Sequence, residues 1–326
     1  MGFLGYDSGI NRSCESYVSA TIKLAKKGYG GKRKISRNER RNYKVYTGSE
    51  LREFTSIYIT RFLPRERDHT EKQEQLKKLK DSTLTVIGLG SIGSHVLYSL
   101  APLGIGKMRV IDHHTVNPED VKLGFFRKED LGKQQCTVYQ RIFRQFQNKT
   151  SFEWYPFEVT SMAADVILGE SDLVVLCSDQ SQPLLHNYIN EICLKHNRSW
   201  LSARFCGYYG EVGPNVTPYK TPCYKCYECR IKANIDDMND MTRFERHPQQ
   251  VKENYGSLGI FMRMIAEYAS LEIIKTLTKH ETPNTVGTVL SIDFENYTNT
   301  LHRVLKVPYC PACGRGYRKH EEGLTE

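Results

Sequence analysis

The chain has 326 residues, of which 39% are hydrophobic and 25% charged, and its formal net charge is +9 at pH 7. That length can bury a sizeable core in one large or two modest domains. The sequence has no apolar run of about 18 residues and no basic and then apolar start typical of a signal peptide, so we expect a cytoplasmic protein that does not enter a membrane.

The positive charge is concentrated at the N-terminus. Residues 1–50 contain eleven Lys or Arg against four Asp or Glu, a balance of +7 out of the chain's +9. Weak periodicity and a break at Gly28–Gly31 indicate a small appended element there, with the main domain over residues 51–326. Such a basic arm can be merely solvated, can bind an acidic peptide or can bind nucleic acid. The charge alone leaves these alternatives open, with nucleic acid the least favoured.

The next segments connect this appendage to a core of alternating strands and helices. Ser49 is a typical N-cap for a helix that reaches Phe62, and the charged stretch Arg65–Lys80 is predicted to be helical in its second half. Strands are then predicted at Leu84–Ile87, Lys107–Ile111, Phe152–Phe157, Leu173–Cys177 and Trp200–Ala203, with helices at Ser91–Leu103, Lys133–Gln147 and Gln182–Lys195. This alternation predicts an α/β fold, a Rossmann-like and mostly parallel sheet covered by helices on both faces.

The last third changes character. Strands with the β-rich composition of antiparallel pairs are predicted at Val212–Tyr219, Val286–Phe294 and Asn299–Val307. A polar stretch, Arg230–Gly256, and a long apolar helix, Ser257–Leu277, lie between the first and second of them. We therefore expect an antiparallel C-terminal extension of the sheet.

A glycine-rich turn follows the first core strand and opens a helix. Gly88, Gly90 and Gly93 form Gly-x-Gly-x-x-Gly in that context, which lets phosphate approach backbone amides at a helix N-terminus, and Ser91 lies within the turn. Asp112 ends the next strand, where a carboxylate can bind a ribose. Nucleotide binding is favoured, although an NAD enzyme fits these residues equally well and a ligand-free structural turn stays open.

A second carboxylate favours ATP over NAD. Asp179 follows the strand that begins after Asp172, at the carboxyl end where ligands of open α/β sheets bind. A carboxylate there can hold Mg²⁺ against triphosphate oxygens. The alternative is that Asp179 only caps a helix.

Two Cys-x-x-Cys pairs frame the last third of the chain. They are formed by Cys223, Cys226, Cys310 and Cys313. Four thiolates at this spacing are typical of a tetrahedral Zn²⁺ site, whereas a thioredoxin-like redox pair should stand alone after a first strand and unliganded surface thiols are the remaining alternative. The other cysteines are scattered, as expected in a reducing compartment.

In this order, the motifs resemble those of the ThiF-like adenylyltransferase family, which includes ubiquitin-activating enzymes, activators of sulfur-carrier proteins and the enzyme that adenylates the microcin C7 peptide. The resemblance covers roughly residues 50–315. The segment from Gly213-Pro214 to the first Cys-x-x-Cys pair is similar to that of the microcin enzyme, and we call each such pair a zinc knuckle. It implies ATP and Mg²⁺ as cofactors, attack of a carboxylate on the α-phosphate, and a homodimer or pseudodimer.

The resemblance also implies roles for individual residues. By position, Gly88, Gly90 and Gly93 bind the phosphates, Asp112 the ribose and Asp179 the Mg²⁺. Arg61, in Tyr58-Ile-Thr-Arg61-Phe, resembles an arginine that reaches into the partner subunit's site, with an exposed helix charge as the alternative.

Two basic positions of the family pattern are changed. Where the family usually has Asn-Leu-x-Arg, this chain has Asp120-Val-Lys122-Leu-Gly, so we expect Lys122 or Arg127 to replace that arginine. The usual lysine three residues after Gly132 is Gln135, and Lys133 is the first choice to replace it. Lys133 can equally be an ordinary solvated residue at a helix start.

The resemblance implies an enzyme that adenylates a carboxylate of a precursor peptide, expected to be acidic, in the manner of peptide-antibiotic maturation. Within this class, the enzyme of pantocin biosynthesis, which rearranges glutamates of a precursor peptide, is a candidate for a closer match. The basic appendage would then bind the peptide. Arg230–Gly256 contains no cysteine, which disfavours the thioester transfer of ubiquitin activators. An activator of a ubiquitin-like or sulfur-carrier protein, a binding module without catalysis and an NAD oxidoreductase are the competing hypotheses.

Overall fold

The structure is a computed structural model, and it describes residues 69–122, 126–147, 149–178, 183–206, 209–234, 259–279 and 281–314. The chain divides into two units, Met1–Glu53 and Phe54–Glu326, and all the described residues belong to the second. The predicted appendage at 1–50 and the predicted helix from Ser49 to Phe62 lie outside the described residues.

The described strands form one eight-stranded sheet in the order β3-β2-β1-β4-β5-β6-β7-β8. The first five strands in that order are parallel, and β6, β7 and β8 continue the sheet antiparallel. Their bounds are β1 Thr83–Ile87, β2 Lys107–Ile111, β3 Ser151–Tyr155, β4 Leu173–Ser178, β5 Ser199–Cys206, β6 Tyr209–Val216, β7 Thr288–Asp293 and β8 Thr298–Arg303. This architecture confirms the predicted α/β class and the antiparallel extension.

Helices cover both faces of the sheet. Their bounds are α1 His69–Asp81, α2 Ser91–Leu100, α3 Pro118–Lys122, α4 Gln135–Phe143, α5 Met162–Gly169, α6 Pro183–Lys195, α7 Tyr224–Lys232 and α8 Gly259–Thr278. Among these, none combines the length and apolar character that a helix needs to cross a bilayer.

The central strand β4 shows why the sheet is buried on both faces. Leu173 and Val175 belong to one apolar core, which also contains buried residues of α2 and α8. Val174 and Leu176 belong to a second core on the opposite face, which contains buried residues of α5 and α6 and the four knuckle cysteines. A strand covered on both sides is a continuous apolar run, as its sequence predicts.

The sequence did not predict the short helix α3 or two longer helices, α5 and α7. In α5, Met162 and Val166 are 91% and 59% exposed, so apolar residues stand on the solvent side and obscure the helical pattern. The other helix, α7, begins directly after its N-cap Cys223 and carries mostly polar and aromatic residues. The helix predicted from Lys133 begins instead at Gln135, after Gly132 takes the left-handed conformation with φ of 74°.

Candidate active site

The glycine turn joins β1 to α2 at the carboxyl edge of the sheet. Gly88 has a φ of +92°, and a Cβ there would lie 2.3 Å from the carbonyl oxygen of Cys177 in β4. A Cβ on Gly93 would lie 1.9 Å from the carbonyl oxygen of Gly88. Only glycine permits both contacts, so the turn is held tightly against β4 while Gly90, the N-cap of α2, stays at the surface of the site.

A cavity of about 870 Å³ opens at the ends of β1, β2 and β4. Such a volume is typical of sites for small molecules and cofactors. One part of the cavity wall is formed by polar side chains and another part by apolar side chains. The lining residues include Gly88, Gly90, Asp112, His113, His114, Asn117, Asp120, Gln135, Phe157, Glu158, Val159, Cys177, Leu184, Leu185 and Tyr188.

Not all four residues of the predicted phosphate turn line this cavity. Gly88 and Gly90 do, whereas Ser91 and Gly93 are buried, and Gly93 packs against Gly88. The structure therefore gives the third glycine a packing role in setting the distance between α2 and the turn. Phosphate binding by the turn stays a prediction.

The carboxylate of Asp112 is held in position by several hydrogen bonds. Its side chain is buried, and Oδ2 accepts a hydrogen bond from the backbone N–H of Leu89 at 2.6 Å. Oδ1 accepts from the backbone N–H of His114 at 2.6 Å and lies 3.0 Å from its Nδ1. Burial by itself would raise the pKa of Asp112, but the hydrogen bonds from His114 and Leu89 outweigh it and hold the pKa below its ordinary value. An ionised carboxylate with free lone pairs can still accept hydroxyl groups of a ribose.

The three predicted replacement cations do not line the cavity. Lys122 is exposed at the end of α3, and the side chain of Arg127 is 81% exposed. The Nζ of Lys133 lies 3.4 Å from Oδ1 of Asp130, a buried carboxylate that also binds Arg141. A role for any of them at the α-phosphate requires the side chain to move, so these roles remain predictions.

Gln135 lines the cavity at the position where the family usually has lysine. It is buried at the start of α4, and its Nε2 donates to Oδ2 of Asp120 at 3.2 Å. Its Oε1 is buried without a hydrogen-bond partner among the described residues. In the sequence, Gln135 is noticeable only because it stands where the family usually has lysine, and its hydrogen bond to Asp120 was not predicted. The aligned motif position was the one available signal.

Two predicted site residues lie outside the described residues. Asp179 directly follows Ser178, the last residue of β4, in the sequence. Arg61 precedes the first described helix. The assignments of Asp179 to Mg²⁺ and of Arg61 to a partner subunit's site stay predictions.

The four predicted zinc ligands come together in a separate, buried cluster. Sγ atoms lie 3.9 Å apart for Cys223 and Cys226, 3.7 Å for Cys223 and Cys310, and 3.6 Å for Cys226 and Cys313. Ligands at about 2.3 Å from a tetrahedral Zn²⁺ are about 3.8 Å apart, so the cluster fits this ion. Hydrogen bonding from the Cys223 thiol holds the pKa of Cys226 below its ordinary value, and the same interaction raises the pKa of Cys223. A metal bound by all four sulfurs must therefore displace the protons that remain.

The knuckle helix α7 is tied to the sheet by a buried arginine. Arg204 of β5 donates to the hydroxyl groups of Tyr224 and Tyr227 at 3.3 and 3.2 Å. The same guanidinium pairs with Glu211 of β6 through Nε at 2.8 Å. A metal at the cysteines would thereby connect the C-terminal segment to β5 and β6 through α7.

Comparison with known proteins agrees with this fold. The ThiF family model matches residues 66–313. The sulfur carrier protein ThiS adenylyltransferase of Escherichia coli K12 is 23% identical over 239 residues, which is 73% of this chain and 88% of that protein. The adenylyltransferase and sulfurtransferase UBA4 of Candida albicans is 28% identical over 151 residues, 46% of this chain and 34% of that protein. The chain thus spans about a third of the length of the UBA4 relatives it matches.

Solved structures show the same fold. The crystal structure of E. coli MccB aligns with a TM-score of 0.64 at 22% identity, covering 75% of this chain and 68% of MccB. The microcin C7 biosynthetic enzyme MccB in complex with N-formylated MccA aligns at 0.65 and 21%, covering 74% and 70%. PaaA aligns at 0.61 and 17%, covering 92% and 85%. The fold, the glycine turn and the match over most of its length show that this chain belongs to the ThiF family.

Proposed function

We propose that this protein uses ATP and Mg²⁺ to adenylate a carboxylate of a ribosomally made precursor peptide, and that intramolecular bond formation follows, in the maturation of a peptide natural product. The carboxylate is the C-terminus or a Glu or Asp side chain. The observation that carries the proposal is the cavity at the carboxyl edge of the sheet, lined by Gly88, Gly90 and Asp112. The likeness to MccB, which was solved with N-formylated MccA, supports the choice of a peptide.

Different residues of the cavity bind different parts of the nucleotide. The glycine turn and the N-terminus of α2 present backbone N–H groups to phosphate. Asp112 receives the ribose, and the apolar side formed by Phe157, Val159 and Leu185 suits the flat base. When bound, ATP would supply an adenylyl group: a carboxylate oxygen forms a bond to the α-phosphorus, and the bond from that phosphorus to pyrophosphate breaks. AMP then becomes the leaving group when the next bond forms at the carboxyl carbon. Asp179 is assigned to the Mg²⁺ that orients the triphosphate.

Zn²⁺ is assigned a structural role at Cys223, Cys226, Cys310 and Cys313. The four Sγ atoms lie within 4.8 Å of one another and are all buried. A closed four-thiolate site leaves no coordination position for substrate. The ion would stabilise the C-terminal segment and take no part in the chemistry.

The partners follow from charge and from the family's assembly. The +7 balance of residues 1–50 favours an acidic peptide as the ligand of that element. We assign the working state to a homodimer in which Arg61 reaches the other subunit's site. Sedimentation of the full chain tests this assembly, and Arg61→Ala mixed with Asp179→Asn tests it by restoring activity through complementation.

Activation of a ubiquitin-like or sulfur-carrier protein is the second candidate. The match to the ThiS adenylyltransferase over 88% of that protein favours it. Both candidates begin with the same adenylation and differ in the substrate. The lack of cysteine in 230–256 supports a reaction without thioester transfer.

Mass spectrometry distinguishes the candidates. Small peptides encoded beside the gene are incubated with the full chain and ATP·Mg²⁺, and an ATP-dependent mass change identifies the substrate. Asp179→Asn should lower the rate by about 100-fold or more if Asp179 positions the metal. Asp172→Asn is the matched control, because Asp172 precedes the same strand at its other end and binds the N–H of Thr83. If no peptide changes while a protein with a ubiquitin-like tail supports pyrophosphate exchange, the second candidate is correct.

A further inference from the structure

The cavity is short of positive charge. Three carboxylates line it, those of Asp112, Asp120 and Glu158, and the lining contributed by the described part of the chain contains no lysine or arginine. A triphosphate and a substrate carboxylate would add further negative charge in the same space. Some cation must therefore accompany them, because like charges repel strongly where water is partly excluded.

Asp120 is the carboxylate best placed to bind such a cation. Its Oδ2 accepts the backbone N–H of Asn117 at 2.9 Å and the Nε2 of Gln135 at 3.2 Å. Within the described ranges, no lysine, arginine or histidine pairs with it. Its negative charge is thus balanced only by neutral donors.

The amide of Gln135 is the second observation. The residue is 5% exposed, lines the cavity and has an Oε1 without a partner in the described structure. Turning the amide over would place Oε1 where Nε2 now lies, 3.2 Å from Oδ2 of Asp120. The turn gives up the hydrogen bond from Nε2 to Asp120, which a cation bound by both oxygens would replace, and Oε1 has no hydrogen bond to lose.

The resulting pair of oxygens has the spacing of neighbouring metal ligands. Octahedral Mg²⁺ binds oxygen at about 2.0–2.1 Å, so adjacent ligands are about 3 Å apart. This ion usually takes one or two protein ligands and fills its other positions with phosphate oxygens and water. The glycine turn, where phosphates are expected, lines the same cavity.

We propose that Asp120 and Gln135 bind a divalent cation, Mg²⁺ in the working enzyme, next to the triphosphate and in addition to the ion assigned to Asp179. This ion supplies the positive charge that the cavity lining lacks. The inference rests on the proposed use of ATP, and it makes Asp120 and the amide oxygen of Gln135 metal ligands.

The test counts metal ions directly. Mn²⁺ binding to the full chain is followed by electron paramagnetic resonance, with the non-hydrolysable ATP analogue AMPPCP present and its binding measured separately by calorimetry. We expect two Mn²⁺ per bound nucleotide in the parent protein. Asp120→Asn should weaken the second ion by at least about tenfold, whereas Gln135→Glu, which keeps an oxygen and adds charge, should tighten it. Gln135→Lys should leave one ion and retain nucleotide binding.

Two control variants carry the same charge changes outside the cavity. Glu119→Gln removes a negative charge from an exposed neighbour of Asp120, and Gln140→Lys adds a positive charge at an exposed position of α4. Both should keep two ions. One Mn²⁺ per nucleotide in the parent, unchanged by Asp120→Asn and Gln135→Glu, overturns the inference while leaving ATP use intact. Absence of nucleotide binding refutes the proposed function, and the inference falls with it.

Discussion

Gly93→Ala tests whether the third glycine of the turn is a packing residue. The new Cβ would lie 1.9 Å from the carbonyl oxygen of Gly88 and 3.2 Å from the Cβ of Cys177. Real Cβ contacts essentially never fall below 3.0 Å, so α2 must move away from the turn by about 1 Å. Both neighbours belong to backbone or to a buried strand, and neither can rotate away.

The expected loss of stability follows from these contacts. Overpacking of this kind costs about 1–3 kcal/mol, and alanine regains about 0.5–1 kcal/mol as the better helix former. We expect a net loss of about 1–2 kcal/mol, which corresponds to a fall in Tm of about 2–8 °C for a domain of this size. ATP affinity should fall as well, because the moved helix no longer presents its N-terminus to the phosphates.

Gly259→Ala is the matched control. Gly259 is the first residue of α8, and a Cβ there has no atom of the described residues within 4 Å. Its stability should stay equal or rise by up to about 1 kcal/mol. Urea unfolding gives the free energy of each variant, and calorimetry gives the ATP affinity. If Gly93→Ala unfolds at the same urea concentration as Gly259→Ala and binds ATP equally well, the packing role is refuted.

Three further changes address the metal, the ribose contact and the outer strand. Cys226→Ser should release zinc and lower Tm, whereas Cys229→Ser should do neither. If metal analysis finds no zinc in the native protein, the zinc assignment is wrong. Asp112→Asn should weaken ATP binding by about tenfold or more, measured by calorimetry, since it removes a charge that accepts hydrogen bonds; equal affinity would exclude Asp112 from the site. A hydrogen bond from Lys107 lowers the pKa of Glu153 from 4.5 to about 2, so its stabilisation is present above pH 4.5 and lost as the pH falls through 2. Glu153→Gln should therefore lower Tm at pH 7 and match the parent below pH 2, and a constant difference would contradict the assignment.

The central strands were predictable because burial on both faces leaves a simple sequence pattern. The predicted strand at Lys107–Ile111 matches β2, and Leu173–Cys177 differs from β4 by one residue. The helix α5 was not predictable, because the exposed Met162 and Val166 remove the contrast between its two faces. Local periodicity reports which side is buried, and it fails where apolar residues face solvent.

The candidate site was predictable where its chemistry is local in sequence. The residues of the glycine turn, and those of each cysteine pair, are close together in the sequence, so their spacing identifies them. The structure contains both the turn and the cysteine cluster. Gln135 meets Asp120 only because the chain folds back on itself after α3. The backbone N–H of Gln135 then donates to the carbonyl of His114 at 3.0 Å. No spacing rule gives that distance, so the role of Gln135 in the cavity wall required the fold.

Transfer of isotope from the substrate tests the central claim most directly. The precursor peptide is labelled with ¹⁸O in its carboxylates and incubated with the full chain and ATP·Mg²⁺, and the nucleotide product is analysed by mass spectrometry. Adenylation forms a bond between a carboxylate oxygen and the α-phosphorus, so bond formation by a nitrogen or carbon nucleophile leaves one ¹⁸O in AMP. Label in inorganic phosphate together with ADP, or AMP without label, would contradict carboxylate adenylation.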